Sequence, residues 1–268
     1  MNLDGVTDRA VMGQTLNKKK LARIQIPLYP FNEQKQIVQT LDTADALRQK
    51  RKEQLNLLDD YLKSIFFEMF GDPVVNNKNL TQRKIGDVGE VVTGNTPSRQ
   101  KKEYYGHFIE WIKSDNINTP EFVLTTAGEF LSKIGVEVGR VVPKGSVLVT
   151  CIAGSPDCIG NCAISDREVA FNQQINAFIP AKEIKTEFFF AQLYICKRLV
   201  QQASTESMKG MVSKSRFSEI KILVPPIEEQ MCFVKIFNSI VQMRNKMRAS
   251  LDEMDNHFNA IMQRYFDK

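Results

Sequence analysis

Ile24-Gln-Ile-Pro-Leu-Tyr-Pro-Phe-Asn-Glu-Gln34 and Ile220-Lys-Ile-Leu-Val-Pro-Pro-Ile-Glu-Glu-Gln230 are two copies of one element. Their repetition decides how the rest of the chain is read. Residues 20–72 align without a gap on residues 216–268, at a constant offset of 196 (226 − 30). Pro30 falls on Pro226, Glu33-Gln34 on Glu229-Gln230, and Arg48 on Arg244. Downstream, apolar residue meets apolar residue: Ile37 and Phe233, Leu41 and Phe237, Leu55 and Leu251, Ile65 and Ile261. Two copies are too few for a solenoid, so two like arms flank a unique middle.

Each arm is readable alone. The alternation of Ile24, Ile26 and Leu28, repeated at Ile220, Ile222 and Val224, predicts a short strand followed by a proline break. A long helix is predicted from near Asn32 and again from near Glu228, with acidic residues at the positive end of each dipole. Gly71-Asp72-Pro73 is a stop signal for the first. The apolar seam 37, 41, 44, 48, 51, 55, 58, 62, 65, 69 alternates steps of four and three, as does 233, 237, 240, 244, 247, 251, 254, 258, 261, 265. That is heptad spacing, and it predicts that the arms pack on each other as a coiled coil. A helix of about 38 residues is about 57 Å long, a rigid ruler. Arg48 and Arg244 occupy seam positions: either they set register or reach a partner subunit, or they snorkel outward.

The 268 residues leave room for one domain of about 140 residues beside the helices. The net charge of +5 permits a polyanionic partner without requiring one. Five cysteines, an odd number, fit free thiols in a reducing compartment. No stretch is apolar for long enough to span a membrane, and the N-terminus lacks a signal-peptide core, so a cytoplasmic location is expected.

The middle, about 74–215, has short strand-like runs at 89–93, 108–112, 146–152, 162–165 and 175–179, separated by Gly, Pro, Asn and Ser. A helix is signalled after Thr186, with Phe189, Phe190, Leu193 and Tyr194 at helical spacing. The expected fold is therefore α/β (mixed α+β). Small polar and basic residues fill its loops: TGNTPSRQKK at 93–102, KSDN at 113–116, NQQ at 172–174 and a run from Ser204 to Lys214. Such residues read base edges and hold phosphates, although polar loops are also ordinary surface.

Other chemistries have weak signals. Pro156-Asp157 followed by Glu183-Ile-Lys185 mimics a metal-dependent nuclease signature but is degenerate. Gly135 and Gly139 are too sparse for a methyltransferase cofactor loop. Cys151, Cys158 and Cys162 lack paired spacing, and His107 and His257 are the only histidines, so no zinc site is expected. A structural coiled-coil adaptor without DNA binding would explain the arms but not the polar middle.

The arm IQIPLYPFNEQ with its long helix, the second IKILVPPIEEQ, and the middle segments IGDVGEVVTGNTPS, IEWIKSDNI and NQQINAFI together resemble the specificity (S) subunits of type I restriction-modification systems, over essentially the whole chain. The resemblance implies a target recognition domain at 74–215 that reads half of a bipartite DNA site. It implies conserved helical regions at 21–73 and 216–268, forming an antiparallel coiled coil that spaces the readers and docks the modification (methyltransferase) subunits. The restriction (translocase/nuclease) subunit would join through the complex. No catalytic residue, cofactor or metal is expected in the chain itself. Contacts to double-stranded DNA are expected at Thr93, Asn95, Thr96, Ser98, Arg99, Lys101, Lys113, Asn116, Lys209 and Lys214, with Trp111 either under that surface or in the core. The family's usual order is reader, helix, reader, helix. Here Met1 to about Lys20 (1–20) resembles only the tail of a first reader. A monomer with one reader, a homodimer with two, and a truncated or silent cassette all remain open.

Overall fold

The computed structural model describes residues 8–10, 13–15, 22, 26–204 and 210–266. In chain order the elements are β1 (Asp8–Ala10), β2 (Gly13–Thr15), α1 (Phe31–Phe70), β3 (Gln82–Lys84), β4 (Gly89–Thr93), β5 (Tyr105–Ile112), β6 (Phe130–Leu131), α2 (Lys133–Val138), β7 (Val141–Val142), β8 (Val147–Thr150), β9 (Cys162–Ile164), β10 (Val169–Phe171), β11 (Ile175–Pro180), α3 (Thr186–Ile195), α4 (Arg198–Gln201), α5 (Lys214–Glu219), β12 (Lys221–Leu223) and α6 (Ile227–Phe266). The chain divides into two compact units, residues 1–60 with 240–268, and residues 61–239.

The repeated P-x-x-x-Q element opens both long helices by the same bonds. The carbonyl of Pro30 accepts from Gln34 N at 3.0 Å, and that of Pro226 from Gln230 N at 3.2 Å. The glutamine amide then turns back one step further, Gln34 Nε2 donating to Tyr29 O at 2.7 Å and Gln230 Nε2 to Pro225 O at 2.9 Å. A backbone carbonyl of the entry turn is thereby satisfied by a side chain. Helix α1 ends where glycine permits a left-handed residue: Gly71 has φ +74° and its N–H donates to Phe67 O at 2.9 Å.

In the first unit α1 and α6 run antiparallel. Arg48 Nε donates to Asp255 at 2.5 Å and Arg244 Nη1 to Asp59 at 2.7 Å, so the numbering rises in one helix as it falls in the other. These two ion pairs are repeat-equivalent, Arg48 matching Arg244 and Asp59 matching Asp255. The seam arginines therefore reach across the helix pair instead of outward, which favours the register-setting role. Tyr29 Oη also donates to Tyr265 O at 3.0 Å. The N-terminal hairpin pairs β1 with β2; the rest of the expected reader tail at 1–20 lies outside the described residues.

The strand expected before each helix forms once. Strand β12 pairs antiparallel with β3, Ile222 opposite Arg83. In the first arm Ile24 lies outside the described residues, and Ile26 and Leu28 are exposed with no strand. Among the described residues no strand partners that segment, and an unpaired strand has nowhere to place its backbone hydrogen bonds.

The second unit holds two four-stranded sheets, ordered β6-β5-β10-β7 and β4-β11-β8-β9. All pairings are antiparallel except β10 with β5. One apolar core is shared by both: Ile112 and Phe171 come from the first sheet, Leu148, Ala163 and Ile175 from the second, all fully buried. Strand β10 was missed in sequence because Val169-Ala-Phe171 is too short to show a period. Below Leu62 the buried stripe leaves the expected positions 65 and 69 for Phe66 and Phe70. These rings join Phe188 of α3 and Phe233 of α6, with centroids 4.9 to 5.7 Å apart for Phe70–Phe188, Phe66–Phe188, Phe66–Phe233 and Phe70–Phe233. Steps of four suit packing against a globular core, and each fully buried ring contributes about 1.5–3 kcal/mol.

Candidate nucleic-acid interface

The loop after β4 is fastened to the framework from Gly94 to Pro97. Gly94 N donates to Ile175 O and Asn95 N to Phe171 O, each at 3.1 Å, which ties the loop to the turn joining the two sheets. Asn95 Nδ2 donates to Val138 O at 2.7 Å. Trp111 Nε1 donates to Asn95 O at 3.2 Å, and Tyr105 Oη to Pro97 O at 2.6 Å. Thr96 Oγ1 donates to Gln173 Oε1. Only glycine fits at 94, because an added Cβ would lie 2.1 Å from Asn172 O.

This fastening leaves Thr96, Ser98, Arg99 and Lys101 exposed. The Arg99 guanidinium lies over Tyr105 at 4.5 Å and Trp111 at 4.9 Å from the ring centroids, and Lys113 Nζ over Trp111 at 5.3 Å. Such cation–π contacts hold a cation in place without neutralising it. Trp111 is buried in the core, and its ring lies beneath the Arg99 and Lys113 cations. Glu129 receives Arg99 Nη1 at 2.7 Å and also Lys113 Nζ. Its carboxyl is held below the usual carboxylate range, first by Arg99 and then by Lys113. Lys101 Nζ donates to Tyr104 Oη at 3.1 Å.

The other expected contacts divide. Asn116 is turned inward: Oδ1 accepts from Lys113 N at 3.0 Å and Nδ2 donates to Thr125 Oγ1 and Thr126 O, at 3.3 and 3.0 Å. It supports the 113–116 turn and presents nothing to a base, a correction to its expected contact role. Thr93 is half-buried and its hydroxyl donates to Asn176 Oδ1 at 2.6 Å. Asn95 is half-buried too, its amide nitrogen engaged with Val138. Lys214 is exposed but lines a different groove, with Lys84, Asp87, Glu90 and Glu219. Lys209 lies outside the described residues. Glu129 and Tyr105 carried no individual sequence signal, since each acquires its place only through strand pairing.

The rival signatures do not assemble among the described residues. The carbonyl of Asp157 accepts from Lys197 Nζ, and the Glu183 carboxylate pairs with Arg83 at 3.1 Å. Among the described residues no three His, Cys, Asp or Glu side chains converge on a cation-sized site. Burial pushes the thiols of Cys151 and Cys162 up to about 12. No helix among the described residues is long and apolar enough to cross a membrane.

Comparison with known proteins draws these features together. Residues 9–57 and 77–252 match the family described as type I restriction modification DNA specificity domain. The chain is similar to the type I restriction enzyme HindI specificity subunit of Haemophilus influenzae, 30% identical over 165 residues, covering 60% of this chain and 35% of that protein. It is also similar to the MjaIX specificity subunit of Methanocaldococcus jannaschii, 28% identical over 188 residues, covering 66% and 42%. The chain thus spans less than half the length of either relative. Among solved structures it resembles the HsdS subunit from Thermoanaerobacter tengcongensis (TM-score 0.51, 17% identity, 98% of this chain and 65% of that one). It likewise resembles the type I S subunit from M. genitalium (TM-score 0.54, 16% identity, 98% and 68%). At those identities the likeness is one of fold: a mixed helix-and-sheet domain with two long helices. The family match extends over most of the residues, and the chain belongs to the type I restriction-modification DNA specificity family.

Proposed function

We propose that the chain is the DNA-binding specificity subunit of a type I restriction-modification system, reading one half of a bipartite site with a single recognition domain. The observation that carries this is the fastened 93–99 loop, which presents Thr96, Ser98 and Arg99 beside Lys113 on two sheets sharing one core. Base readout needs donors and acceptors held in fixed directions, and phosphate contacts need cations beside them. Residues 74–215 are the reader in this proposal. The regions 21–73 and 216–268 set the spacing to the other half-site and dock the modification subunits. Methyl transfer and cleavage belong to the modification and restriction subunits, in the cytoplasm. Two chains acting together would read a symmetric split site, because twofold protein symmetry imposes twofold symmetry on DNA.

The test is a methylome. The chain is co-expressed with its modification subunit and methylated bases are mapped by single-molecule sequencing. A symmetric split motif is the expected result. Absence of methylation, with the complex shown to assemble, would refute an active reader. Arg99→Ala or Lys113→Ala is expected to weaken DNA binding with little loss of stability, and unchanged affinity in both would remove this reading surface.

A further inference from the structure

Two cations of the reading surface end on one carboxylate. Arg99 Nη1 meets Glu129 Oε2 at 2.7 Å, and Lys113 Nζ meets Glu129 Oε1. Both cations also lie over the ring of Trp111. Glu129 is tied to that floor through its backbone, its carbonyl accepting from Trp111 N at 2.9 Å. The carboxylate, the ring and the two cations therefore form one assembly built across β5 and the segment leading into β6.

We infer that Glu129 is a selectivity residue of this surface: it positions Arg99 and Lys113 against Trp111 and withholds their charge from the phosphates of bulk DNA. The inference rests on the proposed DNA-reading role of the surface. Non-specific affinity comes from cations that neutralise phosphates and release counterions. A phosphate approaching Arg99 or Lys113 must overcome the like charge of a carboxylate already ion-paired with both. A base edge need not. The guanidinium has five donors, so Arg99 can keep its bond to Glu129 while its remaining donors address a base. The arrangement thus penalises backbone capture more than base readout, which widens the gap between target and bulk DNA.

The probe is a labelled mixed-sequence duplex, titrated by fluorescence anisotropy across a salt series. Glu129→Gln keeps the size and an acceptor but removes the charge. It is expected to bind this duplex roughly three- to tenfold more tightly near 0.1 M salt, with a salt slope steeper by about one to two, since each newly engaged phosphate adds about 0.9. Glu129→Asp, which keeps the charge, is expected to keep the wild-type slope; Glu129→Ser replaces the Gln variant if that one does not fold. A wild-type affinity and slope in Glu129→Gln, while the Arg99→Ala/Lys113→Ala double variant binds more weakly, would overturn the inference and leave the DNA reading intact. Wild-type binding by the double variant would instead remove the reading surface itself. A Glu129→Asp slope equal to that of Glu129→Gln would make the effect one of packing, and also overturns the inference.

Discussion

Repeat-equivalent residues need not carry equal energy, and the seam arginines test this directly. Arg244 is 4% exposed and pairs with Asp59, which is 30% exposed, at 2.7 Å. Arg48 is 18% exposed, and its cross-helix partner Asp255 is 37% exposed. Removing one member of a buried pair leaves an uncompensated charge and costs about 3–5 kcal/mol. Exposed pairs contribute about 0.2–1 kcal/mol. Asp59 is partly solvated, so Arg244→Ala is placed below the buried limit, at about 2–3 kcal/mol, including lost packing of the aliphatic stem. Arg48→Ala is placed at about 1 kcal/mol: its pair is screened, but it also bonds Asp45 at 2.8 Å and lies 4.3 Å from the Phe258 ring centroid. The assay is urea unfolding followed by far-ultraviolet circular dichroism for both single variants, with an Arg244→Ala/Asp59→Ala cycle to isolate the pair. A coupling of about 1–2 kcal/mol is expected across the cycle. Equal losses at 48 and 244, or a larger loss at 48, would show that burial does not set the value of these pairs.

Gly94→Ala is expected to displace the loop after β4, because its Cβ would lie 2.1 Å from Asn172 O and 2.6 Å from the Phe171 ring, and the former is backbone that cannot rotate away. A stability loss of about 1–3 kcal/mol and a clear drop in duplex affinity should follow, whereas Gly128→Ala, which meets nothing within 4 Å, should change neither; melting and anisotropy decide. The depressed carboxyl of Glu129 gives a pH prediction of definite sign. A carboxylate whose folded pKa is lowered contributes stability above its usual titration near 4.5, and that contribution is lost as pH falls through the folded value. The stability gap between the wild type and Glu129→Gln should therefore be widest at neutral pH and close as the pH falls below the usual carboxylate range; a gap independent of pH would refute the ion-pair origin.

Much of the fold could be read from local pattern. The helix starts near Asn32 and Glu228 agree with Phe31 and Ile227, the stop at Gly71 is the left-handed residue it promised, and 89–93 is β4 residue for residue. The seam positions 37, 55, 58, 62, 233, 237, 240 and 244 are buried because a heptad period is a property of consecutive residues. The departures arise where a distant partner decides. Ile222 becomes strand because β3 lies beside it, whereas Ile26 has no described partner. Phe66 and Phe70 replace positions 65 and 69 because α3 brings Phe188 to that face.

The same division runs through the candidate site. The polar loops, their lysines and arginines, and the repeated arms that identify the family are written in order along the chain, so sequence alone determined them. Asn116 looked like Asn95 in composition, yet its amide is consumed beneath the turn by Thr125 and Thr126. Glu129 looked like any surface acid until β5 and β6 set it against Trp111, Arg99 and Lys113. Hydrogen bonds and ion pairs act over a few ångströms of space, not along the chain, so which polar residues face outward and which neutralise one another was decided only by tertiary structure.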